Sequence, residues 1–181
     1  MITLISLLRG INVSGQKPIR MPDLKAMYES LGFNTVTTYV QSGNIVFTSP
    51  DQELSRVRGM IETEIERTFG FSVSVILRTR DEFGPIVQNN PFVRRRNIEI
   101  EKLYVTFLPV EPPAELASNL FAPVAGADEF KLIGKELYLY CANGYGRTKL
   151  SNNFFERKLK TCATTRNWKT VNTLFNIVNA L

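Results

Sequence analysis

The chain contains no histidine among its 181 residues. That excludes a Ser-His-Asp or Cys-His nucleophilic pair and any imidazole-bound metal. It has two cysteines, Cys141 and Cys162. Two cannot build a disulfide framework or fill a thiolate-only zinc shell, and their spacing is not that of metal ligands. They read as reduced, mostly buried thiols, which places the protein in the cytoplasm. No apolar run approaches the roughly 20 residues of a membrane span. The opening stretch Met1–Leu8 lacks the basic start and cleavage site of a signal peptide, so it reads as a strand. No metal site and no cofactor are expected, and acid–base chemistry would fall to Asp, Glu, Lys, Tyr or Cys.

What is present is an uneven charge. Residues 137–181 carry seven basic side chains and one acid, whereas residues 1–136 carry fifteen basic and sixteen acidic ones. The net charge of +5 therefore comes from one end. An apolar fraction of 44% is that of a folded globular chain.

Hydrophobic periodicity orders the first half as β-α-β-β-α-β. Ile2–Leu8 is nearly continuous apolar sequence, as in a central strand buried on both faces. A helix starts near Met21-Pro22, with the stripe Leu24, Met27, Tyr28, Leu31 and a stop at Gly32. Thr35–Val40 and Ile45–Thr48 are strands joined across Gln41-Ser42-Gly43-Asn44. A second helix, capped by Asp51, carries Leu54, Val57, Ile61, Ile65 and Phe69 to a stop at Gly70. Phe71–Leu77 is the next strand. This is a ferredoxin-like split unit. It lays strand one beside strand three, so Arg9, Gly10, Asn12, Gln41, Ser42 and Asn44 should meet at one rim.

Thr79–Asn90 reads as a helix and Pro91–Ile98 as a linker holding the solvated run Arg94-Arg95-Arg96. The second half reads as Lys102–Leu108 strand, Pro113–Phe121 helix, a hairpin of Phe130–Ile133 and Glu136–Cys141, and helices Leu150–Lys160 and Asn167–Asn179. That is βαββα(α), a ferredoxin-like half with a helix in place of its last strand. The expected organisation is thus α+β: a subdomain over 1–78, helix and linker over 79–101, and a second subdomain with C-terminal helices over 102–181.

Several segments, in order along the chain, resemble a known family. They are Leu8-Arg-Gly-Ile-Asn-Val13, Thr38-Tyr-Val-Gln-Ser-Gly-Asn44, Gly146-Arg-Thr-Lys-Leu150 with Asn152, Glu156-Arg-Lys-Leu159, and Ala163-Thr-Thr-Arg-Asn-Trp168 with Thr170. Together they are similar to the bacterial domain-of-unknown-function family numbered sixteen ninety-seven. The resemblance implies a ferredoxin-like α+β fold and a cytoplasmic bacterial protein, and it implies no activity. Ser14 stands where the family pattern has glycine, and Thr148 where it has serine.

The strongest candidate site is the loop Gly146-Arg147-Thr148-Lys149 ahead of a helix. Glycine lets backbone approach an anion, a helix N-terminus adds partial positive charge, and Arg147 and Lys149 add full charges. Its spacing is that of neither a Walker motif nor a Rossmann fingerprint. The helix with Arg157, Lys158 and Lys160, beside Arg166 and Lys169, could track a phosphate backbone, with Tyr145 able to stack a base. Arg166 and Asn167 could line a pocket or cap locally, while Trp168 belongs to an apolar stripe. At the first rim, Arg9, Asn12, Ser42 and Asn44 form either a bracing network or a small-ligand pocket. The leading expectation is an anionic partner, nucleic acid or nucleotide-like. The alternatives are an enzyme acting on a phosphorylated or carboxylated small molecule, with Ser42 or Tyr39 as proton-transfer groups, and a self-associating scaffold.

Overall fold

The computed structural model describes residues 1–120 and 127–181. These residues form two four-stranded antiparallel sheets and divide into two units, Met1–Gly84 with Thr173–Leu181, and Pro85–Asn172.

The first unit begins with β1 (Ile2–Leu8), which is flanked on one side by β3 (Asn44–Ser49) and on the other by β4 (Val75–Thr79). With β2 (Asn34–Tyr39) at the edge, the order is β2-β3-β1-β4. A central strand has no solvent face, which is why β1 is apolar at nearly every position. Leu4 and Leu8 pack with Ile45, Phe47 and Leu77 beneath α1 (Met21–Ser30) and α2 (Leu54–Phe69), while Ile5 and Leu7 are buried on the opposite face. Tyr28, Phe33 and Phe47 form an aromatic cluster with ring centroids 4.7–5.9 Å apart. The one polar side chain on this face of β1, Ser6, is satisfied by a 2.8 Å hydrogen bond to the Tyr28 hydroxyl. Burial drives that phenol's pKa well above its ordinary value, so it stays neutral in the core.

Both helices of this unit end where expected, but α2 starts differently. Its N-cap is Glu53, whose carboxylate accepts from the backbone N–H groups of Ser55 (3.1 Å) and Arg56 (2.8 Å). Asp51, the expected cap, instead accepts from Glu53 N and pairs with Arg56. Gly70 closes α2 in the left-handed conformation. β4 also begins later than the apolar alternation suggests. Its pairing with β1 runs from Val75 opposite Leu8, where β1 itself ends.

In the second unit, β5 (Leu103–Phe107) pairs with β7 (Glu136–Tyr140), which pairs with β6 (Glu129–Ile133). β8 (Thr164–Asn167) pairs with the other side of β5, giving β6-β7-β5-β8. Each sheet thus has the same order relative to its chain direction. This corrects the expectation that a helix replaces the last strand. β8 is Thr-Thr-Arg-Asn, with no apolar alternation to announce it, and it runs directly into α6 (Trp168–Asn179). Its Thr165 hydroxyl lies 2.7 Å from that of Thr106 on β5 and donates to Asn152 Oδ1 at 2.6 Å. The partner strand, not local hydrophobicity, decides that this segment is extended.

The remaining helices are α3 (Arg80–Gln88), α4 (Ala114–Ser118) and α5 (Asn152–Leu159). α4 is shorter than expected, and Phe121 lies outside the described residues. α5 begins two residues later than expected because Ser151 caps it, accepting from Phe154 N at 3.2 Å. Leu150, Phe155 and Leu159 pack with Leu137, Leu139 and Cys141 into the core of this unit. Trp168 is buried.

Candidate functional site

The first rim is assembled by the pairing of β1 with β3. Leu7 lies opposite Asn44, and Leu8 N donates to Gly43 O at 2.8 Å. Gly43 is at φ +74, and a Cβ there would fall 2.7 Å from Leu8 Cβ and 2.8 Å from Ile11 Cδ1. Only glycine fits so close a crossing. Asn12 Nδ2 donates to Ile19 O (2.9 Å) and Gln41 O (2.8 Å), while its Oδ1 accepts from Ile19 N (2.8 Å). Asn44 is fully buried and donates to Tyr39 O and Ser42 Oγ, both at 2.9 Å. These side chains brace the loop against the hairpin.

The loop tip, Val13-Ser14-Gly15-Gln16, is a tight turn with φ of 51 at Ser14 and 74 at Gly15. It is closed by Gln16 N donating to Val13 O at 2.9 Å. Ser14 therefore adopts a left-handed backbone that glycine would adopt more freely. Asn12 and Gln41 line one open hollow with Ile19, Met21 and Phe69, whereas Arg9 lines another, beside α2.

The glycine loop of the second unit is a 3-10 turn, Tyr145–Arg147, set in place by Asp128. Asp128 Oδ2 accepts from the Thr148 hydroxyl at 2.6 Å, and its Oδ1 accepts from Ala142 N at 2.8 Å. Thr148 Oγ1 in turn accepts from Leu150 N at 3.1 Å. Backbone N–H groups of Gly144, Arg147 and Thr148 donate to carbonyls within the loop. The loop does not run straight into the helix as expected, because Ser151 separates them as the cap of α5. Gly146 has no left-handed φ, and a Cβ there would meet nothing within 4 Å. Tyr145 packs on Tyr104, ring centroids 5.0 Å apart, rather than standing free to stack a base.

Arg147 and Lys149 are exposed, as are Arg157 and Lys160 on α5 and its end, with Lys158 half-buried. Among the described residues, no side-chain hydrogen bond or ion pair engages any of these five. The acid within this stretch, Glu156, accepts from Ala163 N at 3.0 Å. Arg166 is buried, with Nη1 donating to Thr164 Oγ1 (2.8 Å) and Thr165 O (2.9 Å). Asn167 caps α6 by accepting from Thr170 N at 2.7 Å. The arginine run in the linker is not wholly solvated. Arg95 pairs with Glu129 at 2.7 Å and lies over the Phe92 ring.

Cys141 is buried, and burial pushes its thiol up to about 11, which favours the protonated form at neutral pH. Among the described residues no cluster of acidic or cysteine side chains could hold a metal ion, and no helix is long and apolar enough to cross a membrane.

The fold and these two loop regions define an α+β protein built from two ferredoxin-like units. The sequence profile of a family described as "Protein of unknown function (DUF1697)" matches residues 1–138, and the chain belongs to that family. The matched span stops short of the glycine loop and the basic helix. Among solved structures, the chain is similar to the conserved bacterial protein SP0830 from Streptococcus pneumoniae, with a TM-score of 0.75 and 23% identity over 98% of each chain. At that identity the likeness is one of fold. No curated protein matches the sequence.

Proposed function

We propose that the second unit binds a polyanion, a nucleic-acid backbone or a nucleotide-like ligand, through Arg147 and Lys149 with Arg157, Lys158 and Lys160. The observation that carries this reading is the absence of any partner for these five cations among the described residues. In the first unit, Arg20, Lys25, Arg56 and Arg67 each face a carboxylate. Unpaired cations keep their field for an incoming phosphate and pay no cost of breaking an internal pair. Gly146 supports the same reading, since neither its backbone conformation nor a neighbour requires glycine there, and it leaves bare backbone beside Arg147. Asp128 sits under the loop as its brace, so it is the exposed side chains, and not a cradle of backbone N–H groups, that supply the attraction.

The test is fluorescence anisotropy of labelled single- and double-stranded oligonucleotides across a salt series. Binding that weakens steeply with salt, and that the Arg147→Ala/Lys149→Ala substitutions weaken while reducing its salt dependence, is the expected result. No binding at low salt, or binding untouched by the double substitution, overturns the proposal.

A further inference from the structure

Backbone strain in the first unit gathers around one hollow. Asn12, Lys17 and Val40 all sit at left-handed φ, of 54, 47 and 51. Asn12 lines the hollow, and Lys17 and Val40 immediately precede two residues that do, Pro18 and Gln41. Asparagine tolerates this conformation, but a β-branched residue resists it. Val40 is 49% exposed, so core packing does not compensate the strain. Its turn presents Gln41, whose carbonyl accepts from Asn12 Nδ2 at 2.8 Å. The Gln41 side-chain amide has no hydrogen-bond partner among the described residues. Strain held in order to present a polar side chain that the fold leaves unused belongs with sites rather than with braces.

The hollow measures ≈ 480 Å³, within the range of small-molecule sites. Pro18, Ile19, Met21 and Phe69 give it an apolar lining. Met21 and Phe69 pack on the core but are only half-buried, so they leave apolar surface uncovered. The frame is already formed, because Asn12 is bonded to Ile19 in both directions and to Gln41. The charged residues on the wall, Arg20 and Asp23, face each other at 3.9 Å. Their charges sum to zero, so the hollow offers an ion no net attraction.

These features specify a ligand class. A thioether and a phenyl ring suit the face of an aromatic ring. A carboxamide sets a donor beside an acceptor in one plane, which matches the edge of a nucleobase. A wall without net charge favours a neutral molecule. We infer that this hollow binds a neutral heteroaromatic ring of the nucleobase class, its edge at the Gln41 amide and its face on the apolar lining. This inference is independent of the polyanion surface, which belongs to the other unit.

The experiment is a calorimetric and thermal-shift titration of the full chain with adenosine, inosine, cytidine and uridine, none of which carries a phosphate. Benzyl alcohol, a ring without the amide edge, and acetamide, an edge without the ring, are the comparators. At least one nucleoside is expected to bind, with both comparators weaker by about tenfold or more. Gln41→Leu keeps the bulk and removes the amide, and should weaken that binding by about tenfold. Its melting temperature should stay within about 2 °C of the parent, since the lost amide has no partner in the fold. Gln41→Glu keeps the shape, replaces the donor with a charge, and should weaken binding likewise. Arg147→Ala/Lys149→Ala should bind the nucleoside as the parent does, so a failure of the polyanion reading leaves this one standing. The inference fails if no nucleoside binds, if benzyl alcohol binds as well as the best nucleoside, or if both Gln41 variants keep the response. Loss of the response in Arg147→Ala/Lys149→Ala would also overturn it, by moving the site to the other unit.

Discussion

The two units share a sheet order but differ in how some of their charges and turns are set. In the first, several helix cations are matched locally, as Arg67 to Glu64 and Lys25 to Glu29, and the hairpin between β2 and β3 is jammed against β1 at Gly43. In the second, the cations from Arg147 to Lys160 have no partners among the described residues. Its hairpin between β6 and β7 turns at Gly134, where a Cβ would meet nothing within 4 Å. The same topology therefore supports a locked, charge-balanced unit and one that leaves positive charge on its surface. The difference teaches that the sheet order sets where loops meet, while the side chains at those meetings decide whether a loop is a brace or a surface.

The largest expected effect breaks the contrast between the hairpins. Gly43→Ala must both strain a left-handed backbone and push aside Leu8 and Ile11, and should destabilise by about 3 kcal/mol or more in urea unfolding. Gly134→Ala meets only the backbone strain and should lose about 1 kcal/mol. Equal losses would dissolve the contrast.

The next effect falls on the brace of the second unit. Asp128→Ala removes the acceptor for Ala142 N and the Thr148 hydroxyl, and should destabilise by about 2 kcal/mol. A stability unchanged within error would show that the loop holds itself without the carboxylate.

Charge substitutions sharpen the comparison further. Arg147→Ala/Lys149→Ala should lower the slope of log K against log salt for duplex binding by about 2, whereas Arg67→Ala, already matched to Glu64, should leave it unchanged. If Arg67→Ala weakened binding equally, the surface would not be confined to the second unit.

The smallest effect is the pH response of the α2 cap. Hydrogen bonds from Ser55 and then from the Arg56 and Ser55 backbone hold the Glu53 carboxyl below its ordinary 4.5. A depressed carboxylate contributes stability that is full above its unfolded value and lost as pH falls through its folded value. Glu53→Gln should therefore lower the melting temperature slightly at pH 7 and flatten its decline below pH 4.5, read by thermal unfolding across pH. A parallel decline in both proteins would remove the cap's share.

Much of this was readable along the chain, and the failures are specific. β1 announced itself because a strand buried on both faces must be apolar throughout, and α1 and α2 because helices over a sheet carry a stripe of matching period. Gly70 was readable because glycine in the left-handed conformation commonly ends a helix, as it does for α2. β8 was not, since Thr164–Asn167 has no periodicity and its extension depends on β5, distant in sequence. Asp51 was a plausible cap, but Glu53, nearer the first turn, reaches the free N–H groups. Among the candidate site residues, Asn44 and Arg166 proved buried and bonded within the fold, and neither belongs to the proposed surface. Their polarity was visible in the sequence and their burial was not.

By itself the sequence determined the α+β class, the family likeness, the apolar faces and the concentration of positive charge in the last quarter. Those follow from composition and short-range period, which each segment carries locally. The tertiary structure alone decided that a polar four-residue segment completes the second sheet and that Asp128 lies beneath the glycine loop. It alone showed which cations are left without partners. Pairing and burial are relations between residues far apart in the chain, and no local pattern specifies them.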